Sequence, residues 1–325
     1  MKSFKQGASQ AARAAQAVTA MMALTAAVVL SACGGGNGTQ IQPFHPTRVV
    51  TFGDESSLIT PQGQKYTVNG VDATTGLVDC AANPIWVQTL AAAYGLTYPQ
   101  CDPNHTAAPA GLMLAAEGSK VADVQNAVDK YFSVNYFTDK DLVTVLVGQN
   151  DILELYNQFP AQSLDSLSAQ ATQRGQALAQ TVNRIAAAGG RVIVSTLPDV
   201  GLTPFALAET VAHGDTNRGT LLTALTTAFN LAMRTSLTND GRNIGLVLLD
   251  ETVQSMVKFP QAYSMTDVTD PACLPNVIVQ NCSTRTLFPN ATGDTWLWAN
   301  NLLLGSGGQN RLGYLALTRA QNNPF

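Results

Sequence analysis

The segment LVTVLVGQNDILELY, residues 142–156, decides the fold. Its first half, Leu142–Gly148, is an apolar, β-branched run with no polar alternation, the pattern of a strand buried on both faces. A helical pattern over 151–158 follows, with Asp151 placed to cap it. The same strand-then-helix rhythm extends outward in both directions. Strand candidates RVVTF (48–52), GLMLAA (111–116), RVIVSTL (191–197) and IGLVLLD (244–250) alternate with helical patterns at 84–94, 121–132, 164–188, 217–238 and 307–321. Buried strands joined through helices require right-handed crossovers. They predict an α/β fold, a three-layer α/β/α doubly wound (flavodoxin-like) sheet of about five parallel strands.

Local signals set the boundaries. Gly189 and Gly190 end the long helix as a left-handed C-cap would. Residues 60–83 are too polar for a core and predict a hairpin excursion turning at Asn69-Gly70. Residues 259–295 read as a second loop region, and neither an internal repeat nor a second domain is visible.

Of 325 residues, 46% are hydrophobic and 12% charged, with 18 basic against 22 acidic. Disorder needs low hydrophobicity and high net charge, and phosphate binding needs clustered cations, so both classes are excluded and no nucleic-acid partner is expected. With so little charge, each titratable residue carries information, above all the three histidines His45, His105 and His213.

The N-terminus stands apart from the domain. Lys2, Lys5 and Arg13 precede an apolar run, Val18–Leu30, that is too short and Ala-rich to span a bilayer, so 1–32 reads as a secretory signal. It ends in LSAC (30–33), which resembles the bacterial lipobox, implying acylation of Cys33. Gly34 stands where an inner-membrane retention signal usually has Asp, which favours the outer membrane, on its periplasmic or surface face. Residues 33–46 then form a lipidated Cys and tether spanning on the order of 20 Å, and 47–325 a single domain. Removing the signal leaves 15 basic against 22 acidic residues, a net charge of −7. Export also places Cys80, Cys101, Cys273 and Cys282 in an oxidising compartment, where an even count favours two disulfides. Proximity suggests Cys80–Cys101 and Cys273–Cys282, with the other connectivities open. No CxxC pair or nearby His supports zinc, so no metal or other cofactor is expected.

In a doubly wound sheet the ligand site lies beyond the carboxyl ends of the strands. FGDESS (52–57), AAEGSKVAD (115–123), VGQNDILELY (147–156) and WLWANNLLLGSGGQ (296–309) converge there, accompanied by NPIWVQTLAAAYGL (83–96) and STLPDVGLTPF (195–205). In order and spacing they resemble the SGNH, or GDSL, family of esterases and lipases over most of residues 48–320. That resemblance implies acyl transfer by a Ser nucleophile, a His base and an Asp, with oxyanion donors from the backbone and an Asn. It assigns the oxyanion hole to Gly118 and Asn150. The nucleophile position falls on Glu55, and the Asp and His positions fall on Asn300 and Leu303, so all three triad positions are substituted.

Two consequences are open. One is a non-catalytic homologue that binds an acyl, glycan or envelope-protein ligand while anchored to the membrane. The other is an active carboxylic ester hydrolase with Ser56 or Ser57 as nucleophile and His213 as base, since triads are recognised by geometry. Glu55 itself has two readings: a surface carboxylate at a helix N-terminus, or a carboxylate seated in the oxyanion hole as a product acid would be. Trp296 and Trp298 share a face of an extended segment, as pocket lining or as core.

Overall fold

In a computed structural model, the apolar runs form five parallel strands in the order β2-β1-β3-β4-β5. The described residues are 44–102, 109–214, 216–238 and 241–322, all within one compact unit, Pro43–Phe325. The signal sequence, Cys33, most of the tether and His105 lie outside them.

In chain order the elements are β1 (Arg48–Gly53), α1 (Trp86–Ala92), β2 (Gly111–Met113), α2 (Val121–Val134), β3 (Asp141–Leu146), α3 (Gln149–Tyr156) and α4 (Leu164–Ala187). There follow β4 (Arg191–Ser195), α5 (Pro204–Ala212), α6 (Arg218–Ser236), β5 (Ile244–Val247), α7 (Leu249–Lys258), β6 (Asp267–Pro271), β7 (Trp296–Trp298) and α8 (Ser306–Asn322). β1 runs beside β3 from Arg48↔Asp141 to Gly53↔Leu146, and Asp141 grips Arg48 through Nε and Nη2 at 2.8 and 2.7 Å. Every residue of β3 is buried, as a strand covered on both sides must be. Helices α2, α4 and α6 pack together on the sheet, while α1 pairs with α8.

Several expectations are corrected. β2 ends at Met113, although Leu114 and Ala116 still donate to Thr51 and Gly53. β5 gives way at Leu249 to α7, so Leu249 and Asp250, the end of the expected strand, are helical; LVLLD carries too few residues to separate periods of 2 and 3.6. Helix α5 adds a further element between β4 and α6, and the 259–295 region, expected to be loop, contains β6, half of a small parallel sheet with β7.

The largest correction concerns residues 60–83. Lys65, Thr67, Val68 and Asn69 are fully buried, and the turn falls at Asp72–Gly76, where Gly76 N donates to Asp72 O. Asn69 is a staple instead: its Oδ1 accepts from Lys65 N, and its Nδ2 donates to Lys65 O and Cys282 O. The Lys65 ammonium donates to the carbonyls of Cys80, Ala82 and Asn83 at 2.9, 2.6 and 3.0 Å. Burial pushes its pKa down to about 8. Polar residues enter the interior here because each finds partners. Disulfides Cys80–Cys101 and Cys273–Cys282 clip the two loop regions. Among the described residues no helix is long and apolar enough to cross a membrane, and no cluster of three or more His, Cys, Asp or Glu could hold a metal.

Candidate functional site

At the carboxyl end of β1 the chain turns sharply. Gly53 has φ +152°, and a Cβ there would meet Leu146 O at 2.3 Å, so only glycine fits. Asp54 N donates to Leu146 O, tying the turn to β3. The Asp54 carboxylate is buried and accepts from Ser56 N at 2.9 Å through Oδ1, while Oδ2 has no hydrogen-bond partner. Desolvation, reinforced by the neighbouring Glu55 charge, pushes its pKa well up.

Glu55 opens the single 3₁₀ turn Glu55–Ser57. Its Oε2 accepts from Gly118 N at 3.0 Å and from Asn150 Nδ2 at 3.1 Å, and Oε1 lies 3.3 Å from the same amide nitrogen. The two donors that the family resemblance assigns to an oxyanion hole therefore converge on one carboxylate. Gly118 takes φ +71° in the loop after β2. Asn150 lies in the first turn of α3 and also donates to Ser119 O at 3.1 Å. Asp151 does not cap its own helix as expected; it accepts from Val121 N at 2.9 Å, capping α2, and pairs with Arg174 of α4. Burial pushes its pKa up, against the Val121 bond and Arg174.

Of the alternative catalytic residues, Ser57 and His213 have side-chain partners elsewhere, and Ser56 is held through its backbone. Ser57 is fully buried and its Oγ accepts from Trp86 Nε1 at 3.1 Å. Ser56 is half-buried, its N–H on Asp54 and its carbonyl accepting from Gln309 of α8. His213 caps the C-terminus of α5, with Nε2 3.4 Å from Glu209, whose carboxylate also accepts from Tyr156. Among the described residues no hydrogen bond joins His213 to Ser56 or Ser57, and His45 is exposed. Asn300 spends its Oδ1 on Leu302 N and Leu303 N at 2.9 and 2.7 Å, closing a tight turn. Leu303 is buried, and its carbonyl accepts from Ala299 N. Trp298 is core, with Nε1 on Val268 O at 3.0 Å, and Trp296 packs on the smaller hydrophobic cluster.

Beside Glu55 lies a group the sequence did not announce. Tyr66 donates to Glu117 Oε2 at 2.6 Å, and Gln280 Nε2 donates to Tyr66 OH at 2.8 Å. Desolvation and the Glu117 bond push the Tyr66 phenol up to about 12. Tyr66 and Gln280 come from the two loop regions, 214 residues apart. No spacing rule could have joined them.

The chain matches the family model for GDSL-like lipase/acylhydrolase over residues 49–276, and it belongs to that family. No curated protein matches it. Solved structures of similar fold include a member of the lipolytic G-D-S-L family from Veillonella parvula, 10% identical, covering 83% of this chain and 96% of that one (TM-score 0.41). Another is an acetylxylan esterase from Geobacillus stearothermophilus, 11% identical over 86% of this chain and 96% of that one (TM-score 0.42). A third is an alpha/beta hydrolase enzyme from the metagenome of Lake Arreo, 13% identical over 86% and 96% (TM-score 0.43).

Proposed function

We propose that this GDSL-family protein is an exported, lipid-anchored envelope protein that has lost serine ester hydrolysis and binds an acyl, glycan or protein ligand beside the closed site. One observation carries the reading: the Glu55 carboxylate holds both donors, Gly118 N–H and Asn150 Nδ2, that an ester's oxyanion would need. A carboxylate bound there resembles a product acid and leaves no positive potential for a substrate carbonyl. The remaining machinery agrees. Leu303 cannot carry a proton, Asn300 Oδ1 is taken up by its own turn, and His213 faces Glu209. Removing one triad member leaves only about 10³ to 10⁴-fold acceleration from the hole and binding, and here that hole is filled.

Turnover of short p-nitrophenyl esters tests the proposal. Wild type, Glu55→Ala and Ser56→Ala are expected to stay at background while folded. Esterase activity in wild type that Ser56→Ala abolishes would overturn the reading in favour of a hydrolase using Ser56. A triple change, Glu55→Ser with Asn300→Asp and Leu303→His, tests the positional assignment by whether hydrolysis appears. For the anchor, metabolic labelling with palmitate should mark the protein, and Cys33→Ser should remove both label and membrane retention; a labelled Cys33→Ser protein would refute acylation at that residue.

A further inference from the structure

We infer that the face formed by the end of α7, the turn after it and the outer stripe of α8 is a docking surface for an anionic lipid bilayer. The argument begins with charge. The chain carries more acidic than basic residues, yet segments 252–266 and 306–322 contain no Asp or Glu while holding Lys258, Arg311 and Arg319. No carboxylate among the described residues pairs with any of the three. They sit together: Lys258 Nζ lies 5.3 Å from the Phe259 ring, the 3₁₀ turn Pro260–Tyr263 follows directly, and Arg311 Cζ lies 5.1 Å from the Tyr263 ring. Tyr263 and Arg319 line one cavity of about 510 Å³ between β5, α7 and α8. The acid on its wall, Glu251, is held by Arg234 at 2.9 Å.

Large apolar side chains project among these cations. Phe259 is 56% exposed and Tyr314 61%. Arg311, Tyr314, Leu315, Thr318, Arg319 and Asn322 follow one another at helical spacing, so α8 presents one basic, apolar stripe. Lys258 and Arg311 lie over aromatic rings and Arg319 Nε donates to Leu246 O at 2.9 Å, so none of the three charges is neutralised by an acid; such cations among rings match a headgroup layer, where rings sit at the interface and cations meet phosphate.

The chain's own path selects the membrane over other acidic partners. The first described residue, Phe44, packs edge-on against Tyr94 just after α1, with ring centroids 6.0 Å apart. Helix α1 crosses α8 closely enough that a Cβ on Gly313 would lie 2.8 Å from Thr89 Cβ. The segment leading to the proposed anchor therefore joins the body on the helical layer that carries the stripe. The choice of a membrane rests on the proposed anchor, which palmitate labelling tests by itself; the surface does not depend on the Glu55 site, so the esterase result and the vesicle result fail separately.

The test uses the full chain with Cys33→Ser, so that no acyl group contributes, sedimented with vesicles of phosphatidylcholine alone or mixed with phosphatidylglycerol. Binding is expected to the mixed vesicles, weakening with salt. Each cation near an anionic surface contributes about fivefold, so Lys258→Glu/Arg311→Glu should lower partition about 25-fold or more. Phe259→Ser should lower it without changing the salt dependence. Adsorption through the N-terminal segment is measured with a peptide of residues 1–43 on the same vesicles and subtracted from parent and variants alike. Equal partition of the parent and the double variant, with both folded by circular dichroism, would overturn the inference. So would a parent that ignores both vesicle types but binds polyglutamate, which would reassign the patch to an acidic polypeptide.

Discussion

Replacing Glu55 with alanine should convert a filled site into a weak receptor for small carboxylates. The magnitude follows from the geometry. Glu55 receives hydrogen bonds at 3.0 Å from Gly118 N and 3.1 Å from Asn150 Nδ2, with a longer contact of 3.3 Å to its other oxygen. Hydrogen bonds to a charged acceptor contribute about 1.5–3 kcal/mol each, and the exposure of Gly118 puts these at the lower end, about 3 kcal/mol for both donors. A free carboxylate drawing on that alone would bind with Kd of order 10 mM, since 1 mM corresponds to about 4 kcal/mol. Glu55 is tethered and needs no association from solution, so in wild type it excludes such a ligand. Titrating acetate or butyrate into ¹⁵N-labelled protein should therefore shift the Gly118 amide and the Asn150 side-chain resonances in Glu55→Ala and leave them still in wild type. Resonances that ignore acetate in the variant, or move equally in both proteins, would refute the assignment of these donors to one anion site.

The buried carboxyl of Asp54 makes a pH prediction. Its folded pKa is raised by burial, so the native chain keeps a proton that the unfolded chain loses near pH 3.9, and stability falls as pH rises from about 4 through the folded pKa. Asp54→Asn keeps the acceptor for Ser56 N and removes that decline, so its stability relative to wild type should grow across this window in denaturant titrations; parallel pH profiles would contradict it. Lys65→Met should cost about 2 kcal/mol or more in urea unfolding, because it removes the donor from the half-buried carbonyls of Ala82 and Asn83, while the Cys80 carbonyl keeps Gln88 Nε2; a loss below about 1 kcal/mol would mean that water replaces the ammonium.

The sheet was legible because its information is local. Each strand of the five lies in a short apolar run bounded by a turn signal, and in β1, β3 and β4 burial on both faces leaves no alternation to misread. The closing turn at Gly53 and the donors at Gly118 and Asn150 follow strand ends in sequence, so fold and site address could be read together. What escaped was tertiary. Lys65 and Asn69 looked like surface residues because composition cannot show that three carbonyls await an ammonium, or that Cys282 offers its carbonyl to a side chain 213 residues earlier. The Tyr66–Gln280 contact failed for the same reason. Asp151 shows a subtler failure: its type and place at a helix start suited a cap, but the N–H it satisfies belongs to α2, a neighbour through the sheet and 30 residues away.

The fastening of Asn150 and Asp151 carries its own consequence. Asn150 Nδ2 holds Ser119 O while Asp151 holds Val121 N, so two adjacent residues of α3 grip both sides of Lys120 on the chain leading from Gly118. The gap between the donors works as a caliper locked by its own frame, whose setting does not depend on what stands between its jaws. Changing residue 55 exchanges the object being measured and leaves the calibration untouched. Any hydrolysis that a substitution there produced would be limited by the supply of a proton acceptor, with the spacing for a tetrahedral oxygen already in place.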